Sequence, residues 1–193
     1  DSSPVLVGAP SLLRDDAKNT DKWLGYDDFV NQSADRRHVV YAGANDGTLH
    51  AFNAGFWRTG DAAYITSNNG ETNYALGQEL WAYVPVNLWP HLQWQTKHDY
   101  RHVFYVNGEP QVFDVKAFAN GPDHPNGWGT ILVVGLGFGG YPVNVTKGGD
   151  TKTFSSSYLI FDITNPEKPP RLIDEITTPE LGYTVAKPTI VYT

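Results

Sequence analysis

The chain contains no cysteine, so neither a disulfide framework nor a thiolate zinc site can be built from it. That absence suits an exported protein and many cytosolic ones alike, and localisation does not follow from it. No run of 18 apolar residues occurs, which leaves no helical membrane span. Basic residues are few: 14 Lys and Arg stand against 21 Asp and Glu, a net charge of −7. The electrostatic footprint of a nucleic-acid partner is therefore missing. Charged residues make up only 18% of a chain with six Trp and eleven Tyr, which argues against disorder. The start, Asp1-Ser2-Ser3-Pro4, has no Met and no signal-peptide pattern, as expected of a mature product or an excised piece.

What is present reads as β structure. The 193 residues are 40% hydrophobic and 13% aromatic, with 19 Gly and 13 Pro, which describes a loop-rich globular chain. Short apolar or alternating runs bounded by Gly, Pro and Asn predict strands over 4–9, 38–44, 48–54, 79–84, 104–106, 111–118, 130–136, 157–163, 171–176 and 188–192. Helical pattern is thin. Residues 26–34 suit two turns, with Asp27 and Asp28 at the start, and 86–95 suit another short helix with Pro90 near its first turn.

The strands repeat in a fixed order. SPVLVGAP at 3–10 matches EPQVFDVK at 109–116 and KPTIVYT at 187–193; HVVYAGANDG at 38–47 matches TILVVGLGFGG at 130–140. LHAFNA at 49–54 matches YLIFDIT at 158–164, and ELWAYVP at 79–85 matches RLIDEIT at 171–177. Four-strand units joined by turns are the signature of propeller blades. The expected architecture is all-β: two four-stranded antiparallel blades of one β-propeller, quinoprotein-like, over about 3–85 and about 104–177, with the first strand of a third over about 187–193. Closed propellers have about 4–8 blades, so the chain reads as a segment of a larger one. Asn45-Asp46-Gly47 is expected to be a type I′ turn between the second and third strands, because Asp-Gly tolerates positive φ. Its counterpart in the second unit, with Gly137, Gly139 and Gly140, keeps the glycines and loses the carboxylate, which favours turn chemistry over a ligand site.

VVYAGANDGTLHAFNA, ELWAYVP, HDYRHVFYVNGEPQVFDV, TILVVGLGFGGYPVNV and YLIFDITNP together resemble the C-terminal propeller of the PilY-type family, neisserial PilC-type proteins included. Asp99, Tyr100 and His102 fit that family's pattern, as do Gly108, Pro110 and Leu181-Gly182-Tyr183-Thr184; Asn107 stands where Asp is usual. A polar insertion around 141–156 departs from the pattern, and the family's calcium loop has no match in these residues. The resemblance implies a type IV pilus biogenesis factor and tip adhesin: a non-enzymatic scaffold promoting pilus assembly and surface attachment. Its expected partners are minor pilins or pilus-tip components and a host or surface ligand. Its expected place is outside the cell, at the pilus tip, with passage through the periplasm or outer membrane during assembly. No cofactor is expected in this segment; calcium would be held elsewhere in the full-length protein.

The remaining constellations are weighed against that frame. His98, Asp99 and His102 have a spacing that can hold a divalent metal on a helix, but loop-fixing hydrogen bonds are the preferred role. His50 is expected as a packed or rim histidine. Trp57, Trp81, Trp89, Trp94 and Trp128 are aromatic enough for sugar stacking, yet Trp81 suits inter-blade packing and Trp89 and Trp94 are the better surface candidates. Residues 135–140 lack the following helix that a phosphate loop requires. The carboxylate pairs Asp15-Asp16, Asp27-Asp28 and Asp174-Glu175 read as solvated surface. A surface-interaction loop is expected from Trp89, His91, Trp94, His98, Tyr100 and His102. A quinoprotein-like enzyme and a glycan-binding propeller stay as alternatives.

Overall fold

The computed structural model describes residues 2–11, 21–68 and 70–191. In chain order the first half carries β1 (Val5–Val7), α1 (Tyr26–Gln32), β2 (His38–Gly43), β3 (Leu49–Arg58), β4 (Ala63–Ile65) and β5 (Glu79–Tyr83). A 3₁₀ segment over Val86–Thr96 leads to β6 (Gln111–Lys116), β7 (Trp128–Gly135), β8 (Val143–Lys147), β9 (Asp150–Phe154), β10 (Tyr158–Asp162) and β11 (Arg171–Ile176). Strands β1, β2, β3 and β5 pair antiparallel in that order, with β4 extending the far end of β3. Strands β6, β7, β10 and β11 form the second antiparallel sheet, in sequence order. These are the two four-strand units that the repeats predict.

Register explains how the sheets meet. Val5, Tyr41, Ala51 and Trp81 stand opposite one another across the first sheet; Val112, Leu132, Phe161 and Leu172 do so in the second. Residues directly opposite share a face, so each sheet turns one apolar row toward its neighbour. Trp81 and Tyr83 meet Phe161 at ring distances of 5.8 and 5.1 Å, which confirms Trp81 as an inter-sheet residue. Tyr41, Leu49, Leu132, Leu136, Leu159 and Phe161 are fully enclosed there, with Leu88 and Tyr105 from the connection between the sheets. Each such side chain contributes about 1.5–3 kcal/mol through burial. Strand β7 is buried on both faces because Val115, Ile131 and Val133 form a second cluster behind it. Trp128, far from being a surface platform, is fully buried against Trp23, Tyr26 and Phe29 of the α1 region.

Three expected elements form differently. Residues 104–106 are not a strand. They straddle both sheets: Val106 N–H donates to the Ala44 carbonyl, and Asn107 and Gly108 N–H donate to Leu136 and Gly135. A segment tied to two sheets can join the ladder of neither. Residues 188–191 form no strand either, since no neighbouring strand among the described residues offers a ladder; Ile190 packs behind β7 instead. Of the expected first strand of a third blade, over about 187–193, the described residues 187–191 are not in a strand, and 192–193 lie outside the described residues. The helix at 86–96 is 3₁₀ rather than α, with Pro90, which has no N–H to donate, inside it.

The turn chemistry is also redistributed. Ala44 N–H bonds the Thr48 carbonyl at 3.0 Å, so Asn45, Asp46 and Gly47 make a three-residue loop. Gly47 has φ +97°, while Asp46 stays at negative φ, and the turn is not type I′. Such loops place only their last residue in the left-handed region. The Asp46 carboxylate instead accepts the Thr48 N–H at 2.9 Å. The two-residue hairpin occurs in the insertion, where Gly148 and Gly149, both at positive φ, join β8 to β9. In the second unit Gly137 and Gly140 have positive φ, and a Cβ on Gly139 would collide with the Tyr105 carbonyl. Gly137 N–H donates to Thr184 Oγ1, which anchors the LGYT motif onto this turn.

Candidate functional site

The 3₁₀ segment is fixed from below. The Glu175 carboxylate accepts the backbone N–H groups of Val86 (3.1 Å) and Asn87 (3.0 Å) and the Asn87 side-chain amide (2.8 Å). Glu175 is therefore the cap of this segment, not solvated surface. The cap sets which residues of the segment turn inward. Leu88 and His91 are fully buried, whereas Trp89 is 60% exposed. His91 donates from Nε2 to the Tyr141 carbonyl at 2.6 Å, its ring meets Trp94 edge-on at 4.9 Å, and Tyr105 Oη donates to its carbonyl. Burial lowers its pKa, against the backbone carbonyls of Tyr141 and Asn87, which favour the proton. His91 belongs to the packing of the loop and not to its surface.

Beyond Thr96 the chain is irregular. Tyr100 N–H bonds the Lys97 carbonyl, and Tyr100 Oη accepts the Val103 N–H at 3.2 Å. The result is an open groove of about 480 Å³ whose lining includes Trp94, Lys97, Tyr100, Arg101, Phe104 and Phe138, together with Asp99, His102 and Tyr141. Aromatic rings run along it, His102 to Phe104 at 4.7 Å and Phe104 to Phe138 at 5.7 Å, and Phe138 meets Tyr183 outside the groove at 6.2 Å. Phe138 and Tyr141 are 58% and 62% exposed. Of the residues expected to build an interaction surface, Trp94, Tyr100 and His102 meet here. Trp89, His91 and His98 do not line the groove. The helix that would align His98 with His102 is absent, and the loop is tied by Tyr100 and not by carboxylate or imidazole hydrogen bonds.

Sequence reasoning missed Phe104, Phe138 and Tyr141 as groove residues. By sequence the first falls in an expected strand, Phe138 in a turn and Tyr141 at the start of the polar insertion around 141–156. The exposed Phe138 in an otherwise buried stretch, GLGFGG, is the only such signal, and it becomes legible once β7 is known to be enclosed.

Two further polar centres lie outside the groove. His50 sits between Glu79 (Nδ1 to Oε1, 2.5 Å) and Asp46 (Nε2 to Oδ2, 3.0 Å) and stacks on Phe52. Partial burial would lower its pKa, but hydrogen bonds and charge from Glu79 and Asp46 outweigh that and raise it. At the other end of the sheets, a cavity of about 350 Å³ is bounded by Arg37 and Glu167. Arg37 is buried, gives Nε to Glu167 Oε1 at 2.6 Å, and also bonds Asn53 and the Thr72 carbonyl.

Two facing blades joined by a crossing segment, with an aromatic groove built from their connecting loops, define a section of a β-propeller that presents loop-built surface. The family model for the PilY1 beta-propeller domain matches residues 1–193, and the chain belongs to that family. It is 33% identical over its full length to a type IV pilus biogenesis factor PilY1 homolog of Xylella fastidiosa, covering 13% of that protein. It is 29% identical over 98% of its length to type IV pilus biogenesis factor PilY1 of Pseudomonas aeruginosa, again covering 13% of the relative. The crystal structure of the Pseudomonas aeruginosa PilY1 C-terminal domain superposes with a TM-score of 0.54 at 26% identity, over 95% of this chain and 28% of that one. The chain thus spans a small part of the length of the relatives it matches.

Proposed function

We propose that this propeller section serves type IV pilus biogenesis as a non-enzymatic scaffold, working at the pilus tip by presenting the groove between Trp94 and Phe138 to a pilus component or an attachment ligand. The observation that carries the reading is the aromatic row His102, Phe104 and Phe138 along that groove, since strands are committed to pairing and packing while loops are free to bind. Minor pilins or other tip components are the partners that such a role requires, with a host or surface ligand for adhesion. The glycan-binding alternative is weakened because its two tryptophans are separated: Trp94 lines the groove and Trp89 does not. The enzyme alternative is weakened because the carboxylates of Asp46 and Glu79 are engaged with His50 at the sheet margin.

The test uses the full-length gene product. Shortening the loop between Leu88 and Lys97 would remove the buried Leu88 and His91, so groove-facing substitutions are the cleaner probe. Tyr100→Ala with Phe138→Ala is expected to reduce pilus number, counted by electron microscopy, and cell attachment, with protein level checked by immunoblot. Asp174→Asn is expected to change neither. Normal piliation and adhesion in the well-expressed double variant would place the working surface elsewhere. Loss of a measurable turnover on changing Asp46 or Glu79 would favour the enzyme.

A further inference from the structure

The groove holds cations that the fold does not use. Among the described residues, Arg36, Arg37, Arg58, Lys168, Arg171 and Lys187 are engaged in ion pairs or hydrogen bonds. Lys116 bonds the Leu24 carbonyl and Lys152 lies over Phe154. Lys97 and Arg101 have neither an ion pair nor a side-chain hydrogen bond nor a ring contact, and both line the groove. The other described cation in that state is Lys147, on the β8–β9 hairpin. Two of the three unengaged cations among the described residues thus share one concavity in a chain whose net charge is −7.

From this placement we infer that the groove binds an acidic, apolar-anchored peptide segment of a partner protein, carboxylates on Lys97 and Arg101 and an apolar side chain between Phe104 and Phe138. The inference rests on the scaffold reading and adds the chemistry of its partner. Volume allows an anchoring side chain: about 480 Å³ lies within the range of about 300–1,000 Å³ seen for small-molecule clefts. Charge fits as well. Guanidinium and ammonium groups gain short, charge-assisted hydrogen bonds from carboxylates, and opposite charge across an interface raises the association rate. The rings supply the buried centre that such contacts need, with the cations at its rim. A sugar would demand amide and carboxylate partners for its hydroxyls. Asp99 is the one carboxylate in the groove, and no Asn or Gln lines it. The peptide is therefore favoured over an uncharged glycan, and a heparin probe separates it from an anionic one.

The test is fluorescence anisotropy of the full-length protein with a labelled peptide, acetyl-Glu-Asp-Leu-Phe-Asp-Glu-amide, beside the same peptide with Gln and Asn for its acidic residues. The acidic peptide is expected to bind at least about tenfold tighter than the neutral one, with the difference shrinking as salt rises. Lys97→Gln with Arg101→Gln should abolish that preference, and Phe138→Ser should weaken both peptides. Lys147→Gln, which removes the unengaged cation outside the groove, should change nothing. Circular dichroism and melting of each variant establish that it is folded. Equal affinity for the two peptides, no binding of either, or an acidic preference that survives the Lys97 and Arg101 changes would overturn the proposal. So would binding of a heparin hexasaccharide through those same cations with no peptide binding. If the peptide fails while Tyr100→Ala with Phe138→Ala still lowers piliation, the partner chemistry is wrong and the scaffold reading stands.

Discussion

Arg37 Nε lies 2.6 Å from Glu167 Oε1, and this bond joins the start of β2 to the loop between β10 and β11 across the two sheets. The guanidinium is enclosed, while Glu167 keeps 19% of its side chain exposed. Its planar faces lie over Phe56 and Tyr74, at 4.5 and 5.0 Å from the ring centres. A buried cation that loses its carboxylate keeps the cost of desolvation without the compensation. Glu167→Ala should therefore lower stability by about 3 kcal/mol or more, read as a fall in melting temperature of the full-length protein. Arg37→Met combined with Glu167→Leu should recover much of that loss, because apolar replacements of buried pairs are often neutral. A Glu167→Ala protein that melts like wild type would show that the tie carries no stability.

This tie escapes the sequence. RRHVV reads as a basic pair at a strand edge, and nothing in it announces that Arg37 is buried between sheets. The strands themselves were legible because alternation at 38–43 and 158–162 reports burial on one face, and because a second copy of each pattern followed at the same place in the order. Residues 104–106 were misread since local apolarity cannot tell a strand from a segment wedged between two. The groove was half legible. Its tryptophan and tyrosine stand out by type, but Phe138 and Tyr141 arrive from another blade, and only the fold brings them to Trp94.

The turn at Asn45-Asp46-Gly47 separates backbone from carboxylate. A Cβ at Gly47 would lie 2.5 Å from Leu92 Cδ2 with the backbone at φ +97°, so Gly47→Val meets both strain and collision. It should cost about 1–3 kcal/mol or more. Asp46→Asn keeps an oxygen for the Thr48 N–H and should leave stability within about 0.5 kcal/mol. Chemical denaturation of the two variants checks the contrast. A tolerated Gly47→Val would mean that the turn can adopt another form.

Two histidines should titrate on opposite sides of the ordinary value of 6.5. His50 faces Asp46, Glu79 and the Phe52 ring, and its pKa is raised in the fold. Its protonated form adds stability that is complete below 6.5 and fades as pH rises through the folded value. His91 faces the Tyr141 carbonyl and Trp94 and is held neutral by burial, so its pKa is lowered. Its contribution is complete above 6.5 and is lost as pH falls through the folded value. Imidazole NMR titration should place His50 above and His91 below a free histidine peptide, and Asp46→Asn should move His50 downward. The same order for both histidines, or no effect of Asp46→Asn, would contradict the ion-pair geometry.

The faces turned away from the inter-sheet core carry the last prediction. Leu6, Val40 and Phe52 stand in one row on the outer side of the first sheet, because Leu6 pairs with Val40 and Val40 with Phe52. On the second sheet Tyr158 stands opposite Ile176, and Val133 opposite Ile160, on the side away from the first. Leu6 is 52% and Ile176 40% exposed, a burden that stacked repeats normally relieve by covering each face with a neighbour. Residues 1–193 expressed alone should therefore bind a hydrophobic dye and self-associate at concentrations where the full-length protein does neither. Leu6→Glu with Ile176→Glu should reduce both effects without disturbing Tyr41, Leu132 or Phe161, whose rows point the other way. Light scattering and dye fluorescence provide the readouts. A monodisperse, cooperatively melting chain that ignores the dye would mean that these rows are covered within the chain itself, and the two-blade packing would have to be redrawn.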